Sequence, residues 1–521
     1  MIKDDIKKFL KDRWNFIFVI LILFIIIYRL YYFFKLGAQP IWWDEGDYLA
    51  VSKVWALNQN SVEWMAHFSG MRPLLIPLIW TLFFKLGLGE MTIRFFTLLV
   101  PSVVSICCVY LIGKELYDRR VGIIAAFMLS VYWVFTFYTY RLLTDIPATM
   151  FGLLAVLFFY RYIKDNTKSS QLYFFFLFGV LAFMTRFPLS LILITCLIFL
   201  FAVKRFTVLK DKAFLKSMGF FGVILIPFII YLIYTKFYFI QFYFVKGIGG
   251  LIATNQPFGF YVFGLSVSIL GTSWAILFFL GILTLLNLFL GFDIFWKQKN
   301  NSLNSDFFVV LWIVLQLIFY VIIFRGATDR WIIMLTVPMF FIASKGLVLI
   351  YETVKKYSKN IAIIIVIGLL VWGGYANLKH SSDLIDNKKD TYKEIKLAGE
   401  WLKANTPENS KTITASIVQN YYYSERQSYD FYTNDSIWGK CSDIYGALSL
   451  NETCQKKTEE SFNEKVKRIK PDYMIVSVFE PVFTPQWAYT YPQKYNMSIV
   501  QAYMNNQNQP MLVIYKFENG H

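Results

Sequence analysis

Apolar runs of about 20 residues recur along this chain, the length at which a helix crosses the hydrocarbon of a bilayer. That feature limits the fold more than any other, because backbone polar groups in hydrocarbon must find their hydrogen bonds inside the protein. The composition agrees. The 521 residues are 57% hydrophobic and 20% aromatic, with 16% charged, against about 25% charged in a soluble domain. The mean hydropathy is +0.49. The chain reads as an α-helical polytopic membrane protein. Its first run, Trp14 to Phe34, is too long for a signal-peptide core and has no small-residue cleavage site after it, so it is expected to be a retained span.

The formal net charge of +17 does not point to nucleic acid. The Lys and Arg are scattered between apolar runs, where the positive-inside rule puts cytoplasmic loops. Hydropathy gives about twelve candidate spans, of which Pro73 to Leu88 is short and carries Pro73, Pro77 and Lys85. Counting it as a full span puts Lys114, Arg119, Arg120 and every later basic loop outside. Reading it as an interfacial or re-entrant helix returns them to the inside. With that choice Lys7, Lys8, Lys11 and Arg13 face inward. So do Lys114, Arg119 and Arg120, then Arg161, Lys164 and Lys168, then Lys204, Arg205, Lys210 and Lys212. Lys297 and Lys299, then Lys355, Lys356 and Lys359, complete the set. About eleven spans remain, with the N-terminus cytoplasmic and the C-terminus extracytoplasmic. They are expected at 14–35, 92–112, 121–140, 146–163, 171–186, 188–203, 214–236, 261–291, 307–324, 331–351 and 360–378.

Two domains are expected, a transmembrane one over 1–379 and a small extracytoplasmic α/β one over 380–521. In the second, Tyr392 to Asn405 has helical periodicity and Pro407 stops it. Thr412 to Ile417, Tyr473 to Phe479, Ser498 to Tyr503 and Met511 to Phe517 read as strands, and the Tyr421-Tyr422-Tyr423 run as β core rather than an acceptor-binding surface. Cys107, Cys108 and Cys196 lie in apolar runs, whereas Cys441 and Cys454 lie in the polar tail and can pair if it is extracytoplasmic. Three His without a Cys/His cluster speak against a zinc module.

The first span is followed almost at once by Trp42-Trp43-Asp44-Glu45-Gly46-Asp47-Tyr48. Carboxylates near membrane depth are costly and tend to mark sites; the plainer reading is a solvated loop with interfacial Trp anchors. The charge-derived topology collects further polar residues on the same face. Glu63, His67 and Arg72 are in the first outer loop, Arg141 and Asp145 in the second turn, Arg186 in the third, Lys246 and Gln256 in the fourth, and Arg325, Asp329 and Arg330 in the fifth.

A lipid-linked phosphosugar suits such a rim. Its phosphate is a good leaving group and needs no acid, so one carboxylate base suffices to take the acceptor's proton, unlike the two-carboxyl glycosidases. Arg binds phosphate through a planar fork. Asp44 as base with Arg side chains on the phosphate meets these requirements.

The same residues resemble a known family. Asp44-Glu45 after the first span, Arg72-Pro73-Leu74-Leu75, Gly89-Glu90 followed by Arg94, and Asp145 with Pro147 occur in order. The pattern resembles membrane glycosyltransferases of the GT-C superfamily, in particular the protein mannosyltransferase and aminoarabinose–lipid A transferase group (glycosyltransferase family 39 and relatives), over about residues 14–350. The resemblance implies a GT-C helical bundle and inverting transfer from a polyprenyl-phosphate sugar to a lipid, glycan or protein acceptor. It places Asp44, Glu45 and Asp145 as catalytic acids, with Asp44 as the base. Arg72, Arg141, Arg186 and Arg330 are expected on the donor phosphate, and Tyr48 and His67 on substrate. Asp44 and Asp145 could share a divalent cation, but some members of the group need none, and neither metal nor another cofactor is expected.

Two other readings compete. A transporter or flippase for an anionic lipid or solute would place its ionisable groups near mid-membrane, whereas here the spans are nearly charge-free at their centres. An oligosaccharyltransferase-type enzyme would carry a Trp-Trp-Asp-x-Gly motif in its outer domain, and 380–521 has none.

Overall fold

The computed structural model describes residues 11–58, 72–165, 169–234, 252–253, 256–257, 259–286, 288, 301–433, 436–442 and 448–518. Among them, eight helices are long and apolar enough to cross a membrane: Arg13–Leu36, Glu90–Leu116, Asp145–Lys164, Phe187–Lys210, Lys212–Tyr234, Asn304–Ile323, Asp329–Val354 and Lys359–Lys388. Three shorter apolar helices are Leu75–Lys85, Ser170–Thr185 and Thr272–Leu283. The protein is thus a multi-pass helical membrane protein with a small C-terminal sheet region.

Two expected spans are broken helices. The segment at 121–140 consists of Arg119–Val131 and Trp133–Tyr138, hinged at Tyr132 in extended conformation. The segment at 261–291 opens with a π-helical turn, Phe260–Gly264, continues as Leu265–Leu270, and restarts as Thr272–Leu283. Gly271 makes that break at φ +75°, where a Cβ would be strained. Leu75–Lys85 has 11 residues, about 16 Å of helix, too short to cross a bilayer. It fits the interfacial reading.

The chain divides into two compact units. One is 1–37, 70–76 and 89–386; the other is 38–69, 77–88 and 387–521. The last long helix, Lys359–Lys388, runs through the boundary expected at 380.

In the first unit, small residues let helices approach closely, the packing that works where lipid supplies no hydrophobic drive. A Cβ on Gly281 would lie 1.9 Å from the Ile342 carbonyl oxygen, and one on Gly346 2.1 Å from that of Leu277. The Thr272–Leu283 and Ile333–Val354 helices therefore pack almost backbone to backbone. Arg29 is fully buried in the first long helix. It donates to the Ser130 carbonyl at 3.0 Å, beside the hinge at Tyr132, and so supplies a bond to a helix end that lacks its next turn.

In the second unit a five-stranded mixed sheet places Gln427–Tyr429, Lys411–Thr414, Tyr473–Ser477, Pro510–Lys516 and Ser498–Met504 side by side in that order. The first three are parallel and the last two join antiparallel. Lys393–Asn405 buries Ile395, Ala398 and Leu402 against Tyr473, Ile475, Leu512 and Ile514. The other core gathers Phe431, Phe462, Met474, Trp487 and Tyr491. Four of these strands match the sequence reading to within a few residues, and Gln427–Tyr429 was not expected. Tyr421, Tyr422 and Tyr423 are a correction: they lie on the helix Ile417–Ser424, because their burial comes from the helix Trp43–Ala56 and Lys393–Asn405 rather than from strand pairing. Cys441 and Cys454 form a disulfide, while Cys108 and Cys196 are buried thiols.

Candidate functional site

The polar groups of the first unit sort to its two ends. At one end the hinged segment closes with Tyr138, Asp145 opens the helix Asp145–Lys164, Arg186 follows Ser170–Thr185, and Asp329 and Arg330 precede Ile333–Val354. Asp145 is 2% exposed and its Oδ1 lies 2.8 Å from Arg186 Nη1. That guanidinium holds Oδ1, while Oδ2 has no hydrogen bond among the described residues. A buried carboxylate with open lone pairs is unusual and leaves acceptor capacity beside a cation. Arg186 also stands over the Trp331 ring at 5.5 Å. Tyr138 Oη donates to Asp329 Oδ1 at 3.1 Å, and the backbone N–H of Arg330 donates to the same oxygen at 2.8 Å. Tyr320 Oη donates to the Trp331 carbonyl at 2.9 Å, which holds that ring's segment in place.

The structure therefore brings together Asp145, Arg186 and the Asp329–Trp331 turn that carries Arg330. Arg141 is also buried, its guanidinium 5.6 Å from the Phe137 ring. The Glu90 and Arg94 of the family pattern serve geometry. Arg94 is buried, paired with Glu90 at 2.6 Å, and donates to the Tyr140 carbonyl at 2.7 Å. That bond fixes the turn leading into Arg141 and Asp145. Arg72 is half-buried, just ahead of Leu75–Lys85. His67, Glu63 and Lys246 lie outside the described residues.

In the second unit, the helix Trp43–Ala56 carries Asp44 and Glu45 in its first turn, where the helix dipole favours acids. Glu45 is fully buried and accepts from the Trp42 backbone N–H, so its carboxylate caps the helix it sits on. Asp44 is half-buried. Tyr48 is buried with its ring edge toward Trp80, 6.4 Å between centroids. The helix docks on Ile417–Ser424, and a Cβ on Gly46 would come within 2.9 Å of Val418 Cγ2. Lys53 donates to the Tyr422 carbonyl at 2.8 Å and pairs with Glu425 at 2.7 Å. Tyr423 Oη accepts from the Ile41 backbone N–H at 2.9 Å. Burial pushes the Glu425 carboxyl up, but the ammonium groups of Lys403 and Lys53 outweigh it and hold it below the usual carboxylate range.

Two acids beside these residues were not assigned a role from sequence. Asp329 stood out only as a charge in an outer loop. Glu480 sat in the tail with no motif around it. Tyr392 Oη donates to Glu480 Oε1 at 2.7 Å, and the Asp44 charge acts on both groups. Among the described residues no group of three or more His, Cys, Asp or Glu is placed to hold a metal ion.

A helical membrane bundle followed by a mixed α/β tail is a fold of GT-C type, and the chain has that fold. The family described as dolichyl-phosphate-mannose-protein mannosyltransferase matches residues 71–231. ArnT from Cupriavidus metallidurans in the apo state is similar in structure at 12% identity and TM-score 0.63, over 96% of this chain and 97% of that one. The same protein bound to undecaprenyl phosphate is similar at 11% identity and TM-score 0.63, with the same coverage. The archaeal oligosaccharyltransferase AglB from Archaeoglobus fulgidus, in complex with an inhibitory peptide and a dolichol-phosphate, is similar at 11% identity and TM-score 0.58, over 98% of this chain and 75% of that one. No curated protein matches the chain in sequence.

Proposed function

We propose that the protein is an inverting glycosyltransferase that moves a sugar from a polyprenyl-phosphate-linked donor to an acceptor hydroxyl at the extracytoplasmic face. The observation that carries this is the Asp145–Arg186 pair, buried at one end of the bundle with unused carboxylate lone pairs and with Trp331 and Arg330 beside it. Burying charge is expensive, and a pair left partly unsatisfied adds nothing to stability that apolar residues would not supply better. Its retention suits a site for a charged ligand. The C. metallidurans ArnT structure bound to undecaprenyl phosphate suggests the ligand class.

In this reading Asp44 accepts the proton of the acceptor hydroxyl as its oxygen bonds to the anomeric carbon. The bond from that carbon to the phosphate oxygen breaks, and its electron pair leaves on the lipid phosphate. Attack opposite the leaving group inverts the centre. Arg72, Arg141, Arg186 and Arg330 are assigned to the growing phosphate charge, the group such fixed cations stabilise most as the bond breaks. The basic loops assign Arg119, Arg120, Arg161 and Lys164 to the cytoplasmic side, which puts the N-terminus inside and the tail outside.

The test is sugar transfer from a polyprenyl-phosphate donor by wild type and Asp44→Asn, with a glycosyl product as the readout. The expected loss is on the order of 100- to 10,000-fold. Equal turnover by the two proteins removes Asp44 from this role.

A further inference from the structure

A ring contact ties the C-terminal domain to the helix that bears Asp44, and a strained turn lies just behind it. The Trp43 ring stacks on Phe483, with 5.3 Å between centroids and 25° between planes. Three residues before Phe483 is Glu480, whose backbone sits at φ +52°, strained for a residue with a Cβ. The Phe483 N–H bonds back to the Glu480 carbonyl at 2.9 Å and closes a tight turn around Pro481. Tyr392, itself at φ +69°, packs on Phe479 at 5.6 Å and donates to the Glu480 carboxylate at 2.7 Å. Two strained residues are thus bonded to each other beside the ring that stacks on Trp43, the neighbour of Asp44. Such strain persists where surrounding structure holds it, most often at sites.

We propose that Glu480, oriented by Tyr392, is a positioning residue for proton transfer to Asp44, so that the C-terminal domain contributes to the reacting end of the acceptor. The inference rests on the transferase reading above.

The physical reason is the repulsion of like charges. Two neighbouring carboxylates each make the other harder to ionise. When the acceptor's proton arrives on Asp44, its share of that repulsion is relieved. The titratable groups facing Glu480 among the described residues are Tyr392 and Asp44. Burial pushes the Glu480 carboxyl up, the Tyr392 hydrogen bond pulls it back, and the Asp44 charge adds to the upward push. Tyr392 is pushed up by burial, by its bond to Glu480 and by both carboxylates, and so remains a donor.

Two measurements on the full chain in detergent or nanodiscs test this. The first is transfer across pH by wild type, Glu480→Gln and Tyr392→Phe. Glu480→Gln is expected to lower kcat about tenfold and to move the acid limb of the profile down by about one pH unit, with KM for the prenyl donor unchanged. Tyr392→Phe frees Glu480 to turn away and gives a smaller effect in the same sense. The second needs no turnover: carbodiimide labelling of Glu480, mapped by mass spectrometry across pH in wild type and Asp44→Asn. Labelling of the protonated acid is expected to fade at lower pH once the Asp44 charge is gone. Identical labelling curves, or a Glu480→Gln profile superimposable on wild type, overturn the inference while wild-type transfer and its loss in Asp44→Asn leave the transferase reading standing. If wild type yields no glycosyl product, that reading falls, and the role given to Glu480 falls with it.

Discussion

The two ends of the helical bundle treat charge differently. At the basic end, ion pairs are open to water. Arg120 and Glu352 meet at 2.6 Å with side chains 36% and 44% exposed, and Lys164 and Glu115 meet at 2.9 Å with 44% and 26% exposed. Deeper at the same end, Asp306 is buried but satisfied, since Lys345 pairs with it at 2.6 Å and Tyr117 Oη donates to it at 2.8 Å. At the far end Asp145 is as buried as Asp306, faces one guanidinium, and keeps open lone pairs. Exposed pairs contribute little to stability and mark which end faces water. A buried, bonded pair locks helices together. The Asp145–Arg186 pair is buried with one carboxylate oxygen left without a hydrogen bond among the described residues, and that contrast is the reason the far end is the candidate site.

Substitutions can break this contrast. Asp306→Ala leaves the half-buried Lys345 without its carboxylate, and a loss of about 3 kcal/mol is expected, read as a large fall in thermal midpoint. Transfer per folded molecule should stay within about twofold of wild type, because the pair lies at the other end from the proposed site. Asp145→Asn should do the opposite. It is expected to cost about 100-fold or more in transfer, near 2.7 kcal/mol, with a smaller fall in midpoint, since Arg186 keeps its stacking on Trp331. Equal effects of these two changes on both readouts would erase the distinction between the ends.

The tail offers an intermediate case. Glu425 is held below its ordinary range by Lys403 and Lys53 despite burial. Its contribution is therefore present above the unfolded carboxylate range and lost as pH falls through the lower folded value. Glu425→Gln should lower the unfolding midpoint at neutral pH, and the gap from wild type should close on acidification. Smallest of all, Arg120→Ala should change stability by less than about 1 kcal/mol, a shift that added salt makes smaller still.

Much of the bundle was legible because hydropathy and charge are one-dimensional signals. The long helices fall on apolar runs, and the reading of Leu75–Lys85 as non-spanning follows from its length. The breaks were less visible. Tyr132 sits in an unbroken apolar stretch, and the Ser130 carbonyl beside its hinge is bonded by the distant Arg29. The site was partly legible. Asp145 and Arg186 were both singled out as charges next to spans, but their pairing is a contact 41 positions apart that no local pattern encodes. Asp329 and Glu480 drew no role from sequence because their side-chain partners, Tyr138 and Tyr392, are far away along the chain. The tyrosine run was misread because consecutive aromatic residues suit a strand, whereas here burial by two helices overrides that preference.

The close approach at Gly46 has a consequence for how such proteins can be recombined. The helix bearing the candidate base meets the tail through a gap in which a β-carbon would already crowd Val418. Grafting a relative's residues 387–521 onto this chain would set that helix against a foreign surface. A working chimera would need 38–69 and 77–88 to travel with their tail, so the unit of exchange is discontinuous in sequence.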